Sequence, residues 1–189
     1  LSVTAEGGYT TDYVFRGQEL AEDVYIANVQ AEINNVYVGV NSYWADSNAD
    51  FGNQIQLYGG MLNEGVLLDD LTLDVGSIVY LNDVSDLSFY IDESETIEVY
   101  AGLVYDLTMV RTKGYVYYDY ELKRFTAVGS FSTDVTLIDN FLLLRPSVEV
   151  GYLTQDMDIS NIDYFYVTAS ADIGISTQYV DLLAGIQYN

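Results

Sequence analysis

The feature that most constrains this chain is an alternation of apolar and polar side chains, period two, that recurs along almost its whole length. Only an extended strand sends successive side chains to opposite faces, so the pattern predicts β-structure and not helix. From Tyr25 to Asn34 one face reads Tyr25, Ala27, Val29, Ala31, Ile33 and the other Ile26, Asn28, Gln30, Glu32, Asn34. From Gln54 to Leu62, Ile55, Leu57, Gly59 and Met61 oppose Gln54, Gln56, Tyr58 and Gly60, and Leu71–Tyr80 divides in the same way. Further strands are legible at Val36–Trp44, Ile97–Tyr105, Met109–Tyr120, Arg124–Thr133, Phe141–Tyr152, Asp163–Ile175 and Tyr179–Tyr188; with the opening segment they make eleven.

The connections take turns in length. Arg16 to Val24 reads as long, Asn34-Asn35 as tight, Ala45 to Asn53 as long, Leu81 to Thr96 as the longest and Ser176-Thr177-Gln178 as short. That rhythm predicts an antiparallel up-and-down meander with loops at one rim and turns at the other.

Charge follows the same phase. Arg111, Lys113 and Asp119 share a face with Tyr115 and Tyr117, opposite Val110, Thr112, Gly114, Val116 and Tyr118. Arg145 and Glu149 oppose Leu142, Leu144, Val148 and Val150; Glu6, Asp12 and Arg16 oppose Val3, Ala5, Tyr9, Tyr13 and Phe15. Alternation of this kind suits two architectures: a soluble sandwich or barrel with its apolar faces inward, and a membrane barrel with them against lipid. The apolar face runs from strand to strand with few charges, where an Arg or Lys at mid-bilayer would cost about 2–4 kcal/mol. Strand lengths match the roughly 9–11 tilted residues that cross a bilayer, and aromatic residues gather near strand ends, where interfacial girdles sit. The expected fold is therefore a single transmembrane β-barrel over residues 1–189.

Composition narrows function. The chain has no cysteine and no histidine, which removes thiolate nucleophiles, the usual zinc sites and every imidazole-based triad. No enzyme activity is expected. With 6 Lys+Arg against 29 Asp+Glu the formal charge is −23, which repels nucleic-acid phosphate. No apolar run is long enough for a spanning helix, and the first residues lack the pattern of a signal peptide, so a mature or a cytosolic chain is expected.

Thr11-Asp12-Tyr13-Val14-Phe15-Arg16-Gly17 resembles the opening signature of a family of Gram-negative outer-membrane proteins, mostly uncharacterised and predicted to form porin-like barrels. Val36-Tyr37-Val38-Gly39 with Trp44-Ala45, Leu57-Tyr58-Gly59-Gly60, Leu73-Asp74-Val75-Gly76 and Glu98-Val99-Tyr100-Ala101-Gly102 are similar in style. The first half carries the likeness, the second only its pattern. Gln18-Glu19 stands where the family usually has Ile/Val-Ser, and the chain ends Gln187-Tyr188-Asn189. The resemblance implies about twelve strands, an outer-membrane location and lipid as the partner. Because a single-chain bacterial barrel closes with an even count, a twelfth strand is expected beyond residue 189 or within Leu87–Ile91.

Three residue sets follow. Glu6, Asp12, Arg16, Glu32, Asp74, Glu98, Arg111, Lys113, Arg145 and Glu149 are expected to line a lumen, as a selective basic strip or as a plugging ion-pair network, with Arg111 and Arg145 sensitive to mutation. Tyr13, Phe15, Trp44, Tyr105, Tyr118, Tyr152 and Tyr188 are expected in the aromatic girdle. Asp46, Asp50, Asp92, Glu93 and Glu95 are oxygen ligands that suit Ca²⁺ or Mg²⁺, or else a solvated acidic rim. The predicted function is a small porin-like channel or structural membrane protein, able to self-associate. The alternative is a soluble secreted β-module that binds or assembles, including arrays built through open strand edges.

Overall fold

The computed structural model describes residues 1–45, 53–66, 68–82, 96–107, 109–138, 142–156, 161–176 and 181–188. All regular structure is β: β1 Ser2–Phe15, β2 Gln18–Ile33, β3 Val36–Ala45, β4 Gln54–Glu64, β5 Leu71–Asn82, β6 Thr96–Asp106, β7 Arg111–Asp119, β8 Arg124–Ser132, β9 Val135–Ile138, β10 Leu142–Asp156, β11 Asn161–Ser176 and β12 Asp181–Tyr188. Every neighbouring pair is antiparallel and sequential, apart from the step β8 to β10; β9 pairs, among the described residues, only with β10. β9 continues β8 in the same pairing frame: Ser132 faces Ser147 and Val135 faces Leu144, with only Thr133 and Asp134 interrupting the ladder. The walking order thus holds eleven strands, corresponding one to one with those read from the sequence. Leu87–Ile91 lies outside the described residues.

The sheet is strongly curled but its edges do not meet: among the described residues β1 pairs only with β2, and β12 only with β11. The expected closed barrel is thereby corrected to an open, curled meander. Eleven strands make ten antiparallel steps, so the first and last strands run in the same direction and no antiparallel ladder can join them. Curvature is evident from side chains of distant strands meeting on the concave face. Tyr37 of β3 and Tyr115 of β7 both donate to Asp74 of β5, at 2.6 and 2.8 Å. On a flat sheet those strands would lie about 10 Å from β5.

A repeated device packs this concave face. Gly39, Gly60, Gly76, Gly102 and Gly151 pair directly with Tyr58, Tyr37, Tyr100, Tyr115 and Tyr166. Each ring lies over its glycine, and a Cβ added at Gly102 or Gly151 would fall 2.2 Å from the ring. Glycine is required there for space, and the tyrosine covers the backbone it leaves bare.

The first connection is not the long loop expected from Arg16 to Val24. Arg16 and Gly17, at φ 52° and 75°, form a two-residue turn, because two successive left-handed residues match the twist of the flanking strands. A register shift between Tyr13 and Val14 and a left-handed Asp23 (φ 53°) break the alternation below that turn. The apolar side of the hairpin tip therefore turns inward: Tyr13, Ala21 and Val24 form the buried apolar cluster, against Phe15, Leu20, Ile26, Tyr43 and Ala45.

Candidate functional site

Strand phase sorts the two faces. Pairing partners share a face, so one inward residue fixes its neighbours. The outward set of β2 from Tyr25, of β3 to β8, and of β10 up to Thr154 contains no Asp, Glu, Lys or Arg. Its Val38 is 59% exposed and Val29 51%. The largest fully buried side chains are Glu98, Val24, Thr126 and Asp119, three of them polar. Burial is inverted relative to an ordinary soluble domain, whose fully buried residues are overwhelmingly apolar.

At one end of the concave face the hairpin tip reaches across to five strands. Arg16 is bidentate to Glu98 of β6, Nη1 to Oε1 at 2.5 Å and Nη2 to Oε2 at 2.7 Å, and its Nη1 also donates to Thr126 of β8 at 3.3 Å. Its guanidinium carbon stands 4.7 Å from the ring centre of Tyr117 on β7. The Phe15 ring meets Tyr80 of β5 edge-on, and Tyr164 of β11 donates to the Arg16 carbonyl at 3.1 Å. Gly17 has no room for a side chain, since a Cβ would lie 2.4 Å from that of Tyr166. Glu98 also accepts from Tyr80 at 2.6 Å and stands 3.5 Å from Arg124, which pairs at the same distance with Asp119. Asp119 in turn caps the following turn through the Leu122 amide at 2.9 Å.

Behind this stopper is a chamber of about 620 Å³ whose walls include Tyr37, Tyr58, Asp74, Tyr100, Lys113, Tyr115 and Glu149. Elsewhere on the same face a chain of amides runs Gln56 to Gln54 at 2.7 Å and Gln54 to Asn82 at 2.6 Å. At the opposite end the face opens into a polar recess of about 320 Å³ that holds Asp106, Arg111, Lys113, Thr133, Asp134 and Arg145. Here Arg111 pairs with Asp106, and Arg145 Nε donates to Asp134 at 2.6 Å. Both pairs are substantially exposed. Asp134 sits in the break between β8 and β9, and the hydrogen bond from Arg145 holds its carboxyl below the usual aspartate range.

The expected lumen set is thus divided. Arg16 and Glu98 form the dry pair, and Asp74 is gripped by tyrosines. Lys113 and Glu149 face the chamber, and Glu32 is half-buried near the far end. Arg111 and Arg145 pair with Asp106 and Asp134, outside that set, and their exposure removes the sensitivity expected of them. Glu6 and Asp12 are exposed and, among the described residues, join no ion-pair network. Asp12 instead engages its neighbours, accepting from Thr11 at 2.8 Å, while its carbonyl accepts from Thr10 at 2.8 Å.

Of the expected girdle, Trp44, Tyr118 and Tyr188 are exposed and outward, Tyr105 is half-buried, and Tyr152 packs on Phe165 with ring centres 4.7 Å apart. Tyr13 and Phe15 are corrected: both belong to the inward-turned tip. Tyr80, Asp119, Arg124 and Thr126 are missing from the expected site, although strand phase puts all four on the polar face. Asp46, Asp50, Asp92, Glu93 and Glu95 lie outside the described residues. Among the described residues no three metal-ligating side chains are drawn together. Comparison with protein-family models, curated proteins and solved structures finds no match.

Proposed function

We propose that this chain is a porin-like protein of a Gram-negative outer membrane, built on an open curled sheet whose concave passage is stoppered by its own first hairpin. The observation that carries the reading is the inverted burial: charged and amide side chains are packed inside while Val, Leu, Ile and Phe cover the outside. In water that outer face would be a very large apolar patch, including a shallow groove of about 670 Å³ over Ala101, Gly114, Ala127 and Gly129. In lipid it is the ordinary wall of a barrel. The likeness of Thr11–Gly17 to the outer-membrane signature supports the location, and the pair Arg16–Glu98 supports a closed resting state.

Detergent extraction and gel mobility test the membrane part. Folded protein is expected to need detergent and to migrate differently boiled and unboiled; a water-soluble monomer with one mobility overturns it. Planar-bilayer conductance tests the stopper. The native chain is expected to be nearly silent and a Glu98→Gln variant to conduct, whereas a steadily conducting native chain defeats the closed state.

The open edge favours a second reading. Most of β1 is exposed, and one of its edges has no described partner, which offers main-chain groups to a second copy. Cross-linking in detergent that yields only monomer would dismiss it.

A further inference from the structure

The recess at the open end gathers three of the six basic residues of a chain whose net charge is −23. Arg111, Lys113 and Arg145 line it together with two carboxylates, Asp106 and Asp134, so the recess is locally positive in a strongly negative molecule. The two carboxylates offset two of the three positive charges and leave one uncompensated in the recess.

The hydrogen bonds are arranged to leave donors over. Arg111 spends Nε and Nη2 on Asp106 in a side-on pair, and among the described residues its Nη1 makes no hydrogen bond. Arg145 binds Asp134 through the same two nitrogens. Asp106 thus orients the Arg111 guanidinium without covering its remaining edge. Lys113 lies between them and the chamber, has no ion pair among the described residues, and belongs to the walls of both cavities. The Ser132 and Thr133 hydroxyl side chains complete the lining.

From this juxtaposition we infer that the recess is a binding site for a small tetrahedral oxyanion, inorganic phosphate or a phosphate monoester, with Lys113 and Arg111 as its principal cationic contacts. The Arg111 guanidinium, the Lys113 ammonium and the Ser132 hydroxyl approach the recess from several directions, while the Thr133 hydroxyl donates to the Met109 carbonyl. A tetrahedral anion with three or four acceptor oxygens can answer them together, whereas a flat carboxylate answers fewer. Neither hydrocarbon nor a cation has a reason to occupy the recess. The inference does not depend on which solvent bathes the outer face.

The test is calorimetric titration of the folded full chain with inorganic phosphate, at constant ionic strength set by chloride. Saturable binding is expected, weakened about tenfold or more in Lys113→Gln, because a charged hydrogen-bond partner is worth roughly 1.5–3 kcal/mol. Lys113→Arg should retain binding, and Lys123→Gln, at the opposite end, should leave it unchanged. Circular dichroism on each variant separates loss of binding from loss of fold; if Lys113→Gln does not fold, Arg111→Gln serves in its place. A headgroup source is distinguished by adding short-chain phosphatidate to the micelle: displacement of phosphate that requires Lys113 identifies a lipid headgroup as ligand, and no displacement a free solute. Absence of saturation in the native chain, or equal binding by native and Lys113→Gln proteins, overturns the proposal.

Discussion

The two ends of the concave face use the same chemistry under opposite conditions. At the stoppered end, Arg16 meets Glu98 in a pair with 7% and 0% of the side chains exposed; at the open end, Arg145 meets Asp134 with 37% and 60% exposed. Pair lengths are almost the same, 2.5 and 2.6 Å. Distance therefore says little about what each pair holds together. In the dry end Arg16 and Glu98 have surrendered water, and a lost partner leaves the other charge buried; in the wet end water replaces a lost partner at once.

The largest effect expected from this difference belongs to Glu98. Glu98→Ala would leave the buried guanidinium of Arg16 uncompensated and cost about 3–5 kcal/mol, read as a shift of the denaturant midpoint in detergent. The paired exchange Arg16→Met with Glu98→Leu should recover much of the loss, since an apolar pair of similar volume does not leave a charge behind. If Glu98→Ala proves no worse than Asp134→Ala, the contrast between the ends collapses.

Between the ends the wall is held by rings on glycines, and the expected effect is intermediate. Gly102→Ala would place a methyl 2.2 Å from the Tyr115 ring, pushing the ring aside and breaking its 2.8 Å bond to Asp74. The cost should be about 1–3 kcal/mol, the range for overpacking. Tyr115→Phe, which keeps the ring and removes only the hydroxyl, separates crowding from the lost hydrogen bond. A Gly102→Ala protein as stable as the native one would mean that the ring moves without penalty.

Most of this wall was legible in the sequence, because strict period two leaves a strand no choice of face once one residue is placed. Phase alone put Arg111, Lys113, Asp74 and Glu98 on one face and Val29, Val116 and Val148 on the other. The hairpin tip was not legible. Tyr9 and Tyr13 are four residues apart and so share a face by alternation, yet Tyr9 is 53% exposed and Tyr13 is buried. What separates them is irregular backbone, the shift at Tyr13/Val14 and left-handed Asp23, and a bulge has no period to read. The Thr10-Thr11-Asp12 run is the only local hint, since such side chains compete for backbone groups as Thr10 and Asp12 do here. Nor could phase say that Arg16 meets a carboxylate 82 residues away; it names a face but not the partner across it.

At the open end the expected effects are small, and their dependence on solvent is the sharper measurement. Arg111→Gln should cost less than about 1 kcal/mol, as exposed ion pairs do. Raising salt toward 1 M, where the screening length is about 3 Å, should shrink the difference further. Salt should hardly move the cost of Glu98→Ala, because the counter-ions cannot reach that pair. A salt-insensitive Arg111 variant would mean that the recess is drier than its exposure implies.

The smallest effect is the dependence of Asp134 on pH. Arg145 lowers the folded-state pKa of this carboxyl below its ordinary value of 3.8. A depressed carboxylate adds stability above the unfolded-state pKa and loses it as pH falls through the lower folded-state value. Asp134→Asn should therefore be slightly less stable than the native chain at neutral pH, by a fraction of a kcal/mol given the exposure of the pair. The two unfolding curves should converge once pH falls well below 3.8, where both chains carry a neutral group. A gap that persists unchanged into that acid range would show that Asp134 acts through the shape of the break between β8 and β9 and not through its charge, and the open end would then resemble the stoppered one in being held by geometry.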